Sequence, residues 1–242
     1  MGSNYKITYN VDMVFCIDCT GSMDNIIDIV KNNALNFYND VTETMEKKNK
    51  HITQLRVRVV AFRDYLADGD RAMLVTDFFK LPEQAVDFET CVRSLKAEGG
   101  GDDPEDGLEA LAYAIKSNWD TEGMKKRQVI VVWTDAATHK LGYGSDSPYY
   151  PNGMAKDLSE LSQWWGGADD SGFIDNNAKR LLLFAPDEED WNIISNNWDN
   201  VLHFPSTAGD GLSELEYSQI IDTISNTIEN GCVIRRRLSN EY

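Results

Sequence analysis

Apolar residues along the chain fall into short continuous runs separated by longer stretches with helical spacing. The first run, Thr8 to Ile17, reads as a buried strand. Met23 to about Lys47 then places Ile26, Ile27, Val30, Ala34, Leu35, Phe37, Tyr38 and Val41 on one helical face. A second strand covers Leu55 to Phe62, and a turn from Arg63 to Ala72 leads into a third at Met73 to Phe79. That connection is too short for a crossover helix, so strands two and three pair antiparallel. Further helices are expected over Pro82 to Leu95 and Leu108 to Trp119, the second opened by Gly99 to Gly107. Gln128 to Thr134 is the fourth strand, and a polar, aromatic-bearing loop from Ala136 to Gly153 precedes a helix from about Met154 to Trp165. Arg180 to Ala185 and Val201 to Phe204 are strands five and six, separated by a helix at Glu188 to Trp198; Leu212 to about Ile228 is a closing helix.

Strands alternating with helices predict an α/β fold with a Rossmann-like, doubly wound sheet. The sheet is expected to be mostly parallel with one antiparallel edge strand and helices on both faces. With no repeat, low-complexity tract or linker, residues 1–242 read as one domain, Met1 to Ser3 being a tag remnant. In such sheets ligands sit beyond the carboxyl ends of the strands, where the strand order reverses. With strand order 3-2-1-4-5-6, Asp18 and Asp135 end neighbouring strands and overhang one crevice.

Candidate chemistry gathers at those two ends. After Asp18 a tight turn carries Thr20 and Ser22 around Gly21. Carboxylate and hydroxyl oxygens collected this way suit a hard cation such as Mg²⁺. Asp18-Cys19-Thr20-Gly21-Ser22 resembles the D-x-[ST]-x-S signature of von Willebrand factor A (vWA) domains, whose metal-ion-dependent adhesion site (MIDAS) takes its first ligands there. Gly99-Gly100-Gly101-Asp102-Asp103-Pro104-Glu105 resembles the GGGDxPE variant of a bacterial and alpha-kinase-associated branch of that family. Thr134-Asp135-Ala136-Ala137-Thr138-His139 resembles its TDAPxH stretch, with Ala137 in place of the proline, and Arg63-Asp64 its YRD segment. By this likeness the metal ligands are Asp18, Thr20, Ser22, Asp102 and Asp135, with Asp102 where many relatives carry a threonine. The cofactor it implies is Mg²⁺, with Mn²⁺ or Ca²⁺ as alternatives. Asp102 or Asp103 would also serve as cap for a helix starting at Pro104.

The resemblance implies a protein-interaction module, not an enzyme, binding a partner's Asp or Glu carboxylate through the ion. Tyr143, Tyr149, Tyr150, Trp164 and Trp165 are candidates for an aromatic rim around it. In adhesion-type relatives the closing helix moves when the site fills; its stripe Leu215, Ile220, Ile221, Ile224 and Ile228 is equally explained by core packing. A second reading takes the same turn as the DxTGT of haloacid-dehalogenase-like phosphohydrolases, with Asp18 as nucleophile and Mg²⁺ required. That reading needs a lysine near the site, and Lys125 and Lys126 fall at the wrong end of strand four.

Lys and Arg number 23 against 40 Asp and Glu, a net charge of −17, which repels phosphate backbones and anionic lipid. Nucleic acid and membrane are therefore excluded as partners, and no apolar run of membrane-spanning length exists. Cys16, Cys19, Cys91 and Cys232 form no zinc or redox pattern beyond the Cys16/Cys19 spacing, which suits reduced thiols in a cytoplasmic monomer.

Overall fold

The computed structural model describes residues 7–101, 103–123, 125–167, 172–229 and 236–237. Its described strands are β1 (Ile7–Asp18), β2 (Lys50–Phe62), β3 (Met73–Val75), β4 (Phe79–Leu81), β5 (Lys126–Trp133), β6 (Lys179–Pro186), β7 (Val201–Ser206) and β8 (Arg236–Arg237). They form one sheet ordered β3-β2-β1-β5-β6-β7-β8, with β4 also paired to β2. Only β3 and β4 run antiparallel to their neighbour. The expected order 3-2-1-4-5-6 is thus observed, extended at one edge by β8.

Alternation along the central strands divides the core in two. Val11, Met13, Phe15 and Ile17 of β1 face one side with Val129, Val131 and Trp133 of β5. Val14 and Cys16 face the other with Ile130 and Val132. The first side is covered by α1 (Asp24–Asn33), α2 (Phe37–Lys47), α4 (Ala85–Ser94) and α8 (Tyr217–Glu229), the second by α5 (Gly107–Ile115), α6 (Leu158–Trp165) and α7 (Glu189–Asn197). Strands buried on both faces explain why β1, β5 and β6 read as continuous apolar runs. No described helix is long and apolar enough to cross a membrane.

Several expected elements are broken or shifted, each for a local reason. The single helix from Met23 to Lys47 is α1 and α2. Asn33 turns its amide back onto the Ile29 carbonyl (2.8 Å) and Asn36 N–H bonds the Asn33 carbonyl, ending the ladder. The break lets Phe37 meet Phe15 edge-on at 5.4 Å. The third strand splits into β3 and β4 because the Thr76 hydroxyl accepts the Val59 N–H in place of a ladder carbonyl. The turn after β2 holds a short helix, α3 (Tyr65–Asp68), capped by Asp64, which accepts the N–H groups of Leu66 and Ala67. The helix expected over Leu108 to Trp119 runs from Gly107 to Ile115; it does not start at Pro104, and Asp103 does not cap it but accepts the Ala137 N–H at 3.1 Å. The helix expected from Met154 begins at Leu158, because Asp157 caps it by accepting the Glu160 N–H. The closing helix begins at Tyr217, five residues later than Leu212.

Candidate functional site

The carboxyl ends of β1 and β5 lie side by side, Ile17 opposite Trp133. This register brings the two strand-end aspartates to the same crevice. Asp18 is fully buried: one carboxylate oxygen accepts the Thr20 N–H (2.9 Å) and hydroxyl (2.7 Å), the other the Thr134 hydroxyl (2.7 Å). Asp135 is also buried; it accepts the Ser22 hydroxyl at 2.8 Å and the Gly211 N–H at 2.8 Å. Two loops 113 residues apart in sequence are therefore joined oxygen to oxygen.

The glycine loop closes the third side. Thr20, Ser22, Gly99, Gly100, Gly101, Asp103, Glu105 and Asp135 line one open cleft of about 230 Å³. Asp68 accepts the Gly100 N–H (2.8 Å), and Glu105 N–H bonds the Ala137 carbonyl (3.1 Å), so this loop is fastened to α3 on one side and to the Asp135 loop on the other. The Trp191 indole holds the Asp135 loop from behind through the Ala136 carbonyl (3.1 Å). Of the expected ligands, Thr20, Ser22 and Asp135 line the cleft, whereas Asp18 does not: it is buried, hydrogen-bonded to Thr20 and Thr134. Asp102 lies outside the described residues.

Glu105 is the residue whose individual part the sequence did not disclose, although the motif contained it. It is 5% exposed, lines the cleft beside Thr20 and Ser22, and one of its carboxylate oxygens has no hydrogen-bond partner. Burial pushes its carboxyl up to about 9, reinforced by the negative charges of Asp18, Asp64, Asp68 and Asp106. Burial likewise lifts Asp18 to about 6 against its hydrogen bonds to Thr20 and Thr134. An unpartnered buried carboxylate costs free energy unless a proton or a cation satisfies it. All the groups lining the cleft that could hold an ion offer oxygen, the donor set of a hard cation. Among the described residues no three Asp, Glu, His or Cys side chains group so as to hold a metal ion.

His139 is not in the cleft. It is 6% exposed, its Nε2 sits 3.0 Å from an Asp64 oxygen, and its ring stacks under Tyr143 at 3.8 Å. The role of local hydrogen-bonding residue therefore fits it. The aromatic rim is smaller than expected. Tyr143 and Tyr149 are about half exposed, whereas Tyr150 turns its hydroxyl inward to Glu109 (2.8 Å). Trp165 is a core residue stacked on Trp198, and Trp164 packs against Phe173 and the Lys116 ammonium. Cys16 and Cys19 are buried on opposite sides of the sheet, which removes the pair as a redox or zinc site.

A mixed sheet wrapped by helices on both faces, with loops from β1, β5 and a glycine-rich segment converging at its carboxyl edge, defines a Rossmann-like α/β domain with its site at the topological switch point. The chain belongs to the von Willebrand factor A domain family, whose model matches residues 12–141. It is similar to the alpha-protein kinase vwkA of Dictyostelium discoideum, 26% identical over 143 residues, which cover 59% of this chain and 21% of the kinase. Among solved structures it resembles a von Willebrand factor type A protein from Catenulispora acidiphila, at 16% identity and a TM-score of 0.51, covering 91% of this chain and 43% of the other. It also resembles the pilus adhesin SpaC from Lactobacillus rhamnosus GG in its open conformation, at 14% identity and a TM-score of 0.51, covering 90% and 30% respectively. The chain thus spans about a fifth of the curated relative it matches.

Proposed function

We propose that this domain is a protein-interaction module in which a divalent ion, Mg²⁺ by the donor set, bridges the cleft to an Asp or Glu carboxylate of a protein partner. Thr20, Ser22 and Glu105 would hold the ion, and Asp18 and Asp135 would orient the hydroxyls or share the coordination. Asp102, which the motif resemblance implies as a further ligand, lies outside the described residues. The observation that carries this reading is that Glu105, one of whose buried carboxylate oxygens has no hydrogen-bond partner, lines the same cleft as the two hydroxyls. When bound, the ion would supply positive charge beside the Glu105 carboxylate and open positions to an incoming carboxylate. The phosphohydrolase reading lacks such support: Asp18 is fully buried with both oxygens engaged, which leaves no free face for attack on phosphorus.

Titration calorimetry of chelator-treated protein with Mg²⁺ tests the metal. Binding is expected in the wild type and a loss of at least about 100-fold in Asp135→Ala, which strips Ser22 of its partner. Absence of wild-type binding would overturn the reading. For the partner, an array of acidic peptides, each paired with its Asn or Gln counterpart, should be recognised only in Mg²⁺ and only in the acidic form. Tyr149 is exposed and stands in the loop that follows Asp135. Tyr149→Ala should weaken captured peptides by about 1–2 kcal/mol and leave Mg²⁺ affinity unchanged, as expected of an aromatic contact residue.

A further inference from the structure

The side chain that ties the cleft's loops together belongs to none of them. Arg63 follows β2, half buried, and its guanidinium bonds to backbone carbonyls from three segments. Nε donates to the carbonyls of Cys19 (3.1 Å) and Glu98 (2.6 Å), one terminal nitrogen to Lys96 (2.7 Å), the other to Arg71 (3.0 Å). Cys19 immediately precedes Thr20, and Lys96 and Glu98 lead directly into Gly99–Gly101. The Cys19 carbonyl also accepts the Glu98 N–H at 3.0 Å. Arg63 therefore pins the hydroxyl-bearing turn and the glycine loop to one planar group. Its own backbone is fixed in turn, its N–H bonding the Ala72 carbonyl and its carbonyl the Asp106 N–H.

We propose that Arg63 is the positioning residue that sets the gap between the Thr20–Ser22 turn and the Gly99–Glu105 loop, and with it the size of cation the cleft accepts. The inference rests on the metal reading above. A rigid fork with five donors in fixed geometry can hold several carbonyls at set separations, which an ammonium on a flexible stem cannot. Mg²⁺ demands near-ideal octahedral geometry at roughly 2.0–2.1 Å, whereas Ca²⁺ accepts irregular coordination at roughly 2.3–2.6 Å. Loosening the gap therefore penalises the smaller ion more.

Electrostatics alone predicts the opposite sign. Removing a positive charge from beside an acidic cleft favours any cation, so Arg63→Ala would bind Mg²⁺ more tightly if charge were all that mattered. Arg63→Lys keeps the charge and loses the fork. The test is calorimetric titration of chelator-treated wild type, Arg63→Lys and Arg63→Ala with Mg²⁺ and with Ca²⁺, alongside metal-free thermal melts. Arg93→Ala serves as the charge-loss control on the exposed face of α4, where Arg93 pairs with Glu89 in a surface ion pair. The expected result is a loss of about 10–100-fold in Mg²⁺ affinity for Arg63→Lys. Its Ca²⁺ affinity should fall much less, and Arg93→Ala should behave as wild type. Equal losses for both ions, or unchanged Mg²⁺ affinity in a folded Arg63→Lys, would overturn the positioning role while leaving the metal site standing. Wild type that binds neither ion would overturn both.

Discussion

Replacing Glu105 with Gln is expected to make the metal-free protein more stable near neutral pH and blind to Mg²⁺. The carboxyl is buried, its second oxygen is unpartnered, and its titration is raised to about 9. An unfolded glutamate titrates near 4.3. Between those values the native state keeps a proton that the unfolded chain has released, so the metal-free protein loses stability as pH rises from about 4 through about 9. Gln stays neutral at every pH and carries no such liability; its amide meets the same lack of partners, so the proton linkage alone separates the two. The variant should therefore melt about 3–8 °C above wild type at about pH 8 in chelator, and the gap should shrink on acidification. Magnesium should reverse the ranking. Wild type gains about 2.7 kcal/mol at a hundred times Kd, and the variant gains nothing. Differential scanning calorimetry at two pH values, with and without Mg²⁺, reads all four numbers. A variant less stable than wild type in chelator at about pH 8 would mean the carboxylate is satisfied by something other than a cation or a proton.

Gly100→Ala should damage both the fold and the cleft. Gly100 has a φ of +72°, where a side chain costs about 1–2 kcal/mol. A β-carbon there would lie 2.4 Å from a Glu105 oxygen and 2.8 Å from the Thr20 methyl, so both candidate ligands would have to move. A loss of about 2–4 kcal/mol in stability and at least 100-fold in Mg²⁺ affinity is expected. Gly142→Ala separates the two causes. Its φ is +87° but a β-carbon there meets nothing within 4 Å, so it should carry the backbone strain and leave the metal affinity intact. Titration calorimetry and thermal melts on the pair check this. Equal effects on Mg²⁺ from both variants would place the cause in general destabilisation rather than in crowding of the cleft.

The strands were legible because β1, β5 and β6 are buried on both faces and their apolar runs admit few other readings. Strand order followed from the short link between β2 and β3 and from alternation elsewhere. Helix limits were poorly legible where side chains compete with the backbone ladder: Asn33 breaking α1 from α2, and Asp106 turning its carboxylate to the Tyr65 N–H at 2.6 Å rather than capping α5. At the site, the strand-end positions of Asp18 and Asp135 were legible from the apolar runs, and Thr20 and Ser22 from the turn and motif that follow Asp18. Glu105 was not, because its importance lies in a missing hydrogen bond that only the packed structure shows. Arg63 stood in a motif, but an arginine after a strand says nothing about which carbonyls it will reach. The aromatic rim came out smaller for a related reason: the sequence cannot tell an exposed Tyr149 in the loop from a core Trp165 at the end of the helix that follows.

The most direct test is a crystal of this domain grown or soaked with Mn²⁺ and measured at the manganese absorption edge. One anomalous peak is expected in the cleft, within roughly 2.0–2.3 Å of the Thr20 and Ser22 hydroxyls and a Glu105 oxygen, with Asp18 and Asp135 close behind. A cleft without a peak at saturating Mn²⁺, or an ion bound elsewhere with Glu105 still unpartnered, would contradict the account.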